Sequence, residues 1–140
     1  MDDPGTPTAP GTATRRILVV DDEPDILYLV SLFVKEAFPE ARVVTARTGP
    51  EGLTVMQKEP VDAIVSDYRM PAMDGIEFLS HAKERYPGCG RILMTAFSDM
   101  DLGARALKSG VHSFVEKSAD PSDLVSALTR ALDNAGPAPA

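Results

Sequence analysis

The sequence predicts an α/β fold: a single doubly wound domain in which a five-stranded parallel sheet is flanked by five helices. The first observation is a set of short apolar runs rich in β-branched residues, "RILVV", "ARVVTA", "VDAIVS", "RILMTA" and "HSFVE". Strands of a parallel sheet are covered on both faces, so near-continuous apolar runs of this length are typical of them. The second observation is that a segment with helical spacing follows each run, which indicates right-handed crossovers between parallel strands.

Helical spacing identifies the helices in order. The first lies in "PDILYLVSLFVKEAF", with Pro24 in its first turn, and the next two lie in "GPEGLTVMQKE" and "GIEFLSHAKERY". The fourth, "SDMDLGARALKSG", contains Gly103 and is expected to be the least stable helix. The fifth, "DPSDLVSALTRALDN", starts with Asp120 as the expected N-cap. The residues expected to face the core are Ile26, Val30, Phe33, Ala37, Leu53, Met56, Ile76, Leu79, Tyr86, Leu124, Leu128 and Leu132.

Both ends of the sequence differ in composition from the predicted domain. Residues 1–14 are rich in Pro, Gly and Thr without apolar periodicity, and we expect a disordered tail there. The predicted domain covers residues 15–135, and residues 136–140 are expected to be a short Pro/Ala tail or the stub of a linker. The sequence leaves open whether this domain stands alone or is part of a longer protein.

The charge balance argues against direct binding to nucleic acid. The 14 Lys and Arg against 21 Asp and Glu give a formal net charge of −7, and such a surface repels phosphate. No apolar run reaches membrane-spanning length, and the basic and apolar blocks of a signal peptide are missing. With the single Cys89, which cannot form an internal disulfide, these features predict a cytoplasmic protein without a membrane partner. His81 and His112 are too few and too far from a cysteine to predict a zinc site.

Polar and charged residues stand at or directly after the ends of the predicted strands. They are Asp21, Asp22 and Glu23 for the first strand, Thr45 for the second, Asp67 for the third, Thr95 for the fourth and Lys117 for the fifth. Parallel strands bring these ends to one edge of the sheet, which is where open α/β sheets bind ligands. Each residue alone has a common explanation as a cap, a turn or a surface residue. Their combination in this order indicates a functional site.

Three carboxylates at one edge would repel one another, by about 4 kcal/mol per pair at roughly 4 Å and an effective dielectric constant of about 20. Asp21, Asp22 and Asp67 are therefore expected to hold a divalent cation, and oxygen-only ligands favour Mg²⁺. Lys117 adds a positive charge and Thr95 a hydroxyl group. Together these are the groups needed to hold a phosphoryl group on the Asp67 carboxylate.

The sequence closely resembles the receiver domain of two-component response regulators, of the chemotaxis-receiver type. The resemblance covers residues 15–134 and rests on "ILVVDDEPD", "DAIVSDYRMPAMDGIEFL", "ILMTAF" and "SFVEK", which occur in the expected order. It implies the strand order 2-1-3-4-5, with the first and third strands side by side. It also implies a phosphorylation-dependent signalling switch rather than an enzyme, because such a chain catalyses only its own Mg²⁺-dependent phosphorylation and dephosphorylation.

The resemblance implies a role for each residue of the site. Asp67 is the phosphoacceptor, which takes its phosphoryl group from a histidine kinase or a phosphotransfer protein. The Mg²⁺ ligands are Asp22, Asp67 and the backbone carbonyl of Arg69, with Asp21 acting through water. Lys117 contacts the phosphoryl group.

A second set of implied roles concerns the switch. Thr95 supplies the hydroxyl that follows the phosphoryl group, and Phe114 is the aromatic residue that repacks with it. The change spreads to the face made by the fourth helix, fifth strand and fifth helix, which binds a downstream protein target or an attached output domain. The resemblance extends to a homodimer formed through this face. Pro71 and Gly75 are expected to shape the loop after Asp67 and the start of the third helix.

The sequence departs from the family pattern at two positions. Ser118 stands where the family usually has a Pro, and because a cis bond before Ser costs about 2.5–4 kcal/mol, we expect a trans peptide there. Arg69 is long and basic. Either it reaches the phosphoryl group or Glu23 and alters the lifetime of the phosphoryl group, or it is a solvated side chain.

Three other functions stay open on the sequence alone. One is a phosphate-independent interaction module that keeps the fold and not the switch, for which Ser118 is the only favourable feature. Another is a phosphatase with an Asp nucleophile, although the position where such enzymes usually carry a second Asp is Arg69. A flavin or dinucleotide binder is disfavoured, because "VVDDEPD" replaces the Gly-rich loop that cradles phosphate.

Overall fold

The structure, a computed structural model, describes residues 14–96, 100–117 and 120–135. Within these ranges strands and helices alternate as the sequence predicts. The strands are β1 (Arg16–Val20), β2 (Arg42–Ala46), β3 (Ala63–Asp67), β4 (Gly90–Thr95) and β5 (Ser113–Glu116). The helices are α1 (Pro24–Ala37), α2 (Gly49–Lys58), α3 (Gly75–Arg85), α4 (Met100–Lys108) and α5 (Pro121–Ala135). None of the helices in these ranges is long and apolar enough to cross a membrane.

The five strands form one parallel sheet in the order β2-β1-β3-β4-β5, which confirms the expected strand order. The register aligns the carboxyl ends of the strands. Val20 pairs with Ala46 across β1 and β2, and Asp67 pairs with Met94 across β3 and β4. Every residue of the central strand β3 is buried, including Asp67. The sheet therefore delivers the residues at its strand ends to a single edge.

Successive side chains along each strand point to opposite faces of the sheet, so the core consists of two layers. On one side, Leu18 and Ile64 point toward residues of α2, α3 and α4, such as Met56. On the other side, Ile17 and Val65 point toward α1 and α5. This is the arrangement of a doubly wound fold, in which helices cover both faces of a parallel sheet.

Most of the expected core residues are buried or packed against the core. Residues of α2, α3 and α5 that are buried as expected are Met56, Ile76, Leu79, Leu124, Leu128 and Leu132. Leu53 and Tyr86 are half-buried and pack against the layer formed by α2, α3 and α4. The spacing of apolar residues therefore identified the inner face of these three helices.

Helix α1 contacts the core along a wider face than expected, because Val30 and Phe33 pack against the core as expected but a neighbouring stripe is buried more deeply. Its buried residues are Leu27, Ser31 and Val34, whereas Val30 and Phe33 are only half-buried. The expected residues at positions 26 and 37 are half-buried too. The physical reason is that α1 carries two neighbouring apolar stripes. One stripe packs on the sheet, and the other lines a cleft against α5, so periodicity alone could not separate them.

Side chains cap three of the helices. Thr48 and Asp74 accept hydrogen bonds from backbone N–H groups three residues on, at the starts of α2 and α3. Asp120 accepts from the backbone N–H of Ser122 at 2.9 Å, which confirms it as the cap of α5. These bonds from Ser122 also lower the pKa of the Asp120 carboxyl. Each cap satisfies an N–H group that a helix start leaves without a partner.

Gly75 lies where α3 begins against the end of β3. Its backbone N–H donates to the carbonyl of Tyr68 at 2.7 Å, and this bond closes the loop that follows the strand. A Cβ atom at this position would run into the carbonyl oxygen of Asp67 and lie 2.7 Å from Leu93 Cδ1. Only glycine fits this approach of helix to strand.

The variant Gly75→Ala is expected to lower the free energy of unfolding by about 1–3 kcal/mol, because the added methyl group overpacks the contact with Asp67. Urea unfolding followed by circular dichroism measures this value. The matched control is Gly103→Ala in α4, where an added Cβ meets nothing within 4 Å. That variant should gain about 0.5–1 kcal/mol from helix propensity. A Gly75→Ala protein as stable as the wild type would contradict the close approach.

Candidate functional site

Five residues at the strand ends meet at one edge of the sheet. Asp21 and Asp22 follow β1, Asp67 ends β3, Thr95 ends β4 and Lys117 follows β5. Asp21, Asp67 and Thr95 are buried, with exposed fractions of 0%, 5% and 1%. Buried groups of this polarity require partners close by.

The three carboxylates form a compact cluster. One oxygen atom from each of Asp21, Asp22 and Asp67 lies within 4.8 Å of the others. Asp22 is the half-buried member and faces the opening of the site. These hard oxygen donors, clustered at a half-open edge, fit the ligand preference of Mg²⁺. In the described part of the chain, these three side chains are the group of acidic, His or Cys residues placed closely enough to hold a metal ion together.

Lys117 supplies the positive charge of the site. Its Nζ atom lies 3.0 Å from Asp67 Oδ1 and 3.1 Å from Asp21 Oδ2. Lys117 thus bridges two buried carboxylates from neighbouring strands. Repulsion between two buried carboxylates is strong because little water is present to screen it. The two ion pairs of Lys117 offset this repulsion.

The backbone holds the carboxylate-bearing loop in place. The N–H group of Asp21 donates to the carbonyl of Ala46 at 3.2 Å, and the N–H group of Glu23 donates to Asp21 Oδ1 at 3.0 Å. Arg47 donates from Nη2 to the carbonyl of Asp22 at 3.4 Å. The loop after β1 is therefore tied to the end of β2.

A small cavity opens beside the cluster. Its volume is about 240 Å³, and its lining residues are Asp22, Glu23, Asp67, Arg69, Thr95, Ala96 and Lys117. The cavity joins the acidic cluster to the ammonium group and to the hydroxyl-bearing end of β4. An anion attached to Asp67 would therefore meet positive charge and hydrogen-bond donors on its other sides.

Comparison with known proteins decides the family of the chain. The sequence model of the response regulator receiver domain matches residues 17–129. The chain belongs to the response regulator receiver family. The structural neighbours agree. The CheY-like receiver domain protein of Methanospirillum hungatei superposes with a TM-score of 0.79 at 28% identity, covering 88% of this chain and 97% of that one. The beryllofluoride-activated NtrC4 receiver domain dimer gives 0.79 at 29% identity, covering 86% and 98%.

The curated relatives are longer proteins. The transcriptional regulatory protein GlrR of Escherichia coli is 37% identical over 123 residues, which are 87% of this chain and 27% of the relative. The response regulator protein PilR of Pseudomonas aeruginosa is 30% identical over 118 residues, which are 84% of this chain and 26% of the relative. The chain thus spans about a quarter of the length of the curated relatives it matches. As a receiver domain it is a signalling domain of two-component systems that works by phosphorylation.

The surroundings of the site shift the pKa values of Asp67 and Lys117. Burial and the neighbouring charge of Asp21 raise the pKa of Asp67, although the hydrogen bond and charge of Lys117 and the N–H group of Tyr68 act against the rise. For Lys117, burial alone would lower the pKa, but the hydrogen bond to Asp67 and the charges of both carboxylates raise it overall. Lys117 therefore stays protonated, and the surroundings of Asp67 disfavour the charged form of its carboxyl group.

Some expected residues lie apart from the pocket. Phe114 is half-buried on β5 and packs against the core layer of α2, α3 and α4. Thr45 is exposed on β2 and does not line the cavity. The peptide bond before Ser118, expected to be trans, lies outside the described residues.

Arg47 is a residue of the site that the sequence analysis missed. It follows the run "ARVVTA" directly, and a basic residue after a strand end was the available signal. A single exposed arginine there has no distinguishing pattern. Its contact with the carbonyl of Asp22 depends on the pairing of β1 with β2.

In metal-free buffer near pH 7, the Asp67→Asn variant is expected to be more stable to heat than the wild type, because it removes a buried charge. A raised folded pKa means that the stability contributed by Asp67 is complete below its unfolded pKa of about 3.9 and is lost as the pH rises through the folded value. The advantage of the variant should therefore shrink as the pH is lowered toward 4. Thermal unfolding in EDTA across this pH range measures it.

The control for this prediction is Glu84→Gln, which removes one negative charge from a side chain that is 78% exposed. It should leave the melting temperature nearly unchanged. An Asp67→Asn protein that melts below the wild type near pH 7 would mean that the ion pair with Lys117 outweighs the cost of burial.

Proposed function

We propose that Asp67 is the phosphoacceptor of a phosphorylation switch in the domain spanning residues 15–135. The observation that carries the proposal is the position of its carboxylate, with Lys117 Nζ at 3.0 Å on one side and the oxygens of Asp21 and Asp22 within 4.8 Å. A nucleophilic carboxylate needs this combination of a cation for the incoming phosphoryl oxygens and ligands for a metal.

The phosphoryl donor in this proposal is a phosphohistidine on a histidine kinase or a phosphotransfer protein. A carboxylate oxygen of Asp67 attacks the phosphorus atom, the P–N bond breaks, and its electron pair returns to the departing imidazole. The product is an acyl phosphate on Asp67. Hydrolysis of that acyl phosphate by water resets the switch, so the chain acts on itself and not on an external metabolite.

Asp22, Asp67 and the backbone carbonyl of Arg69 would hold Mg²⁺, with Asp21 acting through a water molecule. The clustered oxygens of the three carboxylates support this assignment. Bound there, the ion would supply positive charge to the oxygens of the transferring phosphoryl group. Arg69 lines the same cavity as Asp67, which supports a place for its backbone carbonyl among the ligands.

Lys117, Thr95 and Phe114 transmit the change in this proposal. Lys117 already contacts Asp67 and would pair with a phosphoryl oxygen instead of the bare carboxylate. Thr95 lines the cavity, and Phe114 lies on β5, next to the strand that carries Thr95. The response would spread through the face formed by α4, β5 and α5.

The downstream partner is proposed to be a protein target or an attached output domain, reached in the cytoplasm. NtrC of Escherichia coli, a relative 31% identical over 118 residues, is named a DNA-binding transcriptional regulator, and those residues are 25% of its length. The formal charge of −7 disfavours direct binding of nucleic acid by this chain, so a DNA-binding output would act from elsewhere.

Backbone amide NMR in Mg²⁺ and beryllofluoride, which mimics an aspartyl phosphate, tests the switch. The wild type should shift around Asp67, and the shifts should extend to Thr95, Phe114 and α4. Asp67→Asn should abolish all of these shifts, while the surface variant Glu84→Gln should retain them. Shifts confined to the cavity would contradict the switch and favour the phosphate-independent interaction module.

A homodimer through the α4, β5 and α5 face is proposed as the activated state. Leu107 on α4 is 59% exposed and offers apolar surface on the helix of this face. Light scattering should give a doubled mass for the wild type in Mg²⁺ and beryllofluoride. Leu107→Ser should reduce the dimer while keeping the shifts at Asp67. A mass unchanged by beryllofluoride would count against the dimer alone, since the NMR response tests the switch separately.

A further inference from the structure

A buried arginine lies at the amino-terminal ends of the strands, on the opposite side of the sheet from the proposed phosphorylation site. Arg91 stands near the start of β4 and is 4% exposed. Its Nε donates to the carbonyl of Gly110 at 2.8 Å, and its Nη1 donates to the carbonyls of Cys89 at 2.7 Å and Pro87 at 3.4 Å. Within residues 14–96, 100–117 and 120–135, no carboxylate pairs with it. In these ranges its Nε and Nη1 atoms are therefore paired with carbonyl oxygens and not with a carboxylate.

His112 faces the remaining nitrogen of this guanidinium. The backbone N–H of Arg91 donates to His112 Nδ1 at 3.1 Å, and His112 Nε2 lies 3.2 Å from Arg91 Nη2. A neutral imidazole has one acceptor nitrogen and one N–H group. Because Nδ1 accepts from the backbone of Arg91, a neutral His112 carries its proton on Nε2, and Nε2 and Arg91 Nη2 are then two donors that face each other. An acceptor oxygen is what this pair of donors lacks.

Lys83 brings a second full positive charge to the same place. Its stem crosses Gly110, where the backbone φ of +93° suits glycine, and its Nζ lies 2.9 Å from the position of an added Cβ. Burial, with the charges of Arg91 and Lys83, lowers the pKa of His112. The groups that face His112 from β4 and α3 are thus both cationic.

We propose that Arg91 Nη2, His112 Nε2 and Lys83 Nζ form a binding site for one oxyanion group, a carboxylate or a phosphate. One oxygen of such a group would accept from both facing donors, and its negative charge would offset the positive charges of Arg91 and Lys83, a carboxylate in part and a doubly charged phosphate fully. Water offers an acceptor oxygen but no charge, so an anion satisfies the cluster more fully. The bound group would join α3, β4 and the loop between α4 and β5.

This site is independent of the phosphoryl chemistry at Asp67. Arg91 and Thr95 lie four residues apart on β4, which is about 13 Å along a strand. The two sites thus occupy opposite ends of the same strand. An experiment that rules out the anion site would therefore leave the proposed phosphorylation of Asp67 untouched, and the reverse also holds.

Side-chain NMR of ¹⁵N-labelled histidine tests the proposal directly, since His81 and His112 are the only histidines. His112 should show the proton on Nε2 in the absence of added anion. Phosphate or acetate, each added against chloride at constant ionic strength, should shift its signals saturably, with a dissociation constant on the order of 1–10 mM. The anion that saturates identifies the ligand as a phosphate group or a carboxylate. His81, which lies between Glu77 and Glu84 on α3, is the internal control and should not respond.

Lys83→Gln should weaken the phosphate or acetate response of His112 about threefold to tenfold, as the loss of a charged partner predicts. Arg85→Gln is the matched control, because it removes the same charge from an exposed position on the same helix. Equal weakening by both variants would overturn the site in favour of general charge attraction. A proton on Nδ1, or no saturable response to either anion up to about 100 mM, would also overturn it.

Discussion

The ion pairs of Lys117 with Asp21 and Asp67 are the contacts on which the rest of the site depends. Two carboxylates from neighbouring strands are buried beside each other, and only a cation reaching both makes that arrangement tolerable. Lys117 can reach both carboxylates because the strands are parallel, so β5 ends on the same side of the sheet as β3 and β1. A strand order that separated β1 from β3 would separate the two carboxylates. The topology and the chemistry of this receiver domain therefore constrain each other.

The charges of the site are closely balanced against burial. Three acidic side chains cluster beside the ammonium group of Lys117, and burial continues to disfavour the charge on Asp67. A bound cation or a covalently attached phosphoryl group would each change this balance substantially. The loop that carries Asp22 is tied to the end of β2 by one backbone bond and by one bond from the Arg47 side chain, so a change of charge acts on groups that are already in position. Such preorganisation lets a local chemical event alter the packing around it.

Much of this architecture could be predicted from the sequence, because buried parallel strands require apolar runs and charged residues at their ends stand out. Asp67 and Lys117 were found in this way, and they lie 3.0 Å apart. The strand order came from the family resemblance, since apolar runs do not encode which strands are neighbours. The most deeply buried stripe of α1, formed by Leu27, Ser31 and Val34, was not identified, because a second apolar stripe lies beside it on the same helix. Arg91 was not singled out, because a lone arginine at the start of an apolar run resembles an exposed strand end, and His112 was considered only as a zinc ligand.

The bond between Gly75 and Tyr68 shapes one side of the surroundings of Asp67. It ties the loop after β3 into a closed ring, and the absence of a side chain at Gly75 lets α3 rest directly on the backbone of Asp67. The carbonyl of Arg69, a metal ligand in the proposed function, belongs to that ring. In the proposed switch, a phosphoryl group on Asp67 would meet this closed loop and α3 on one side, and its displacement would travel the other way, toward β4 and β5. One hydrogen bond and one missing methyl group would thus give the proposed signal its direction.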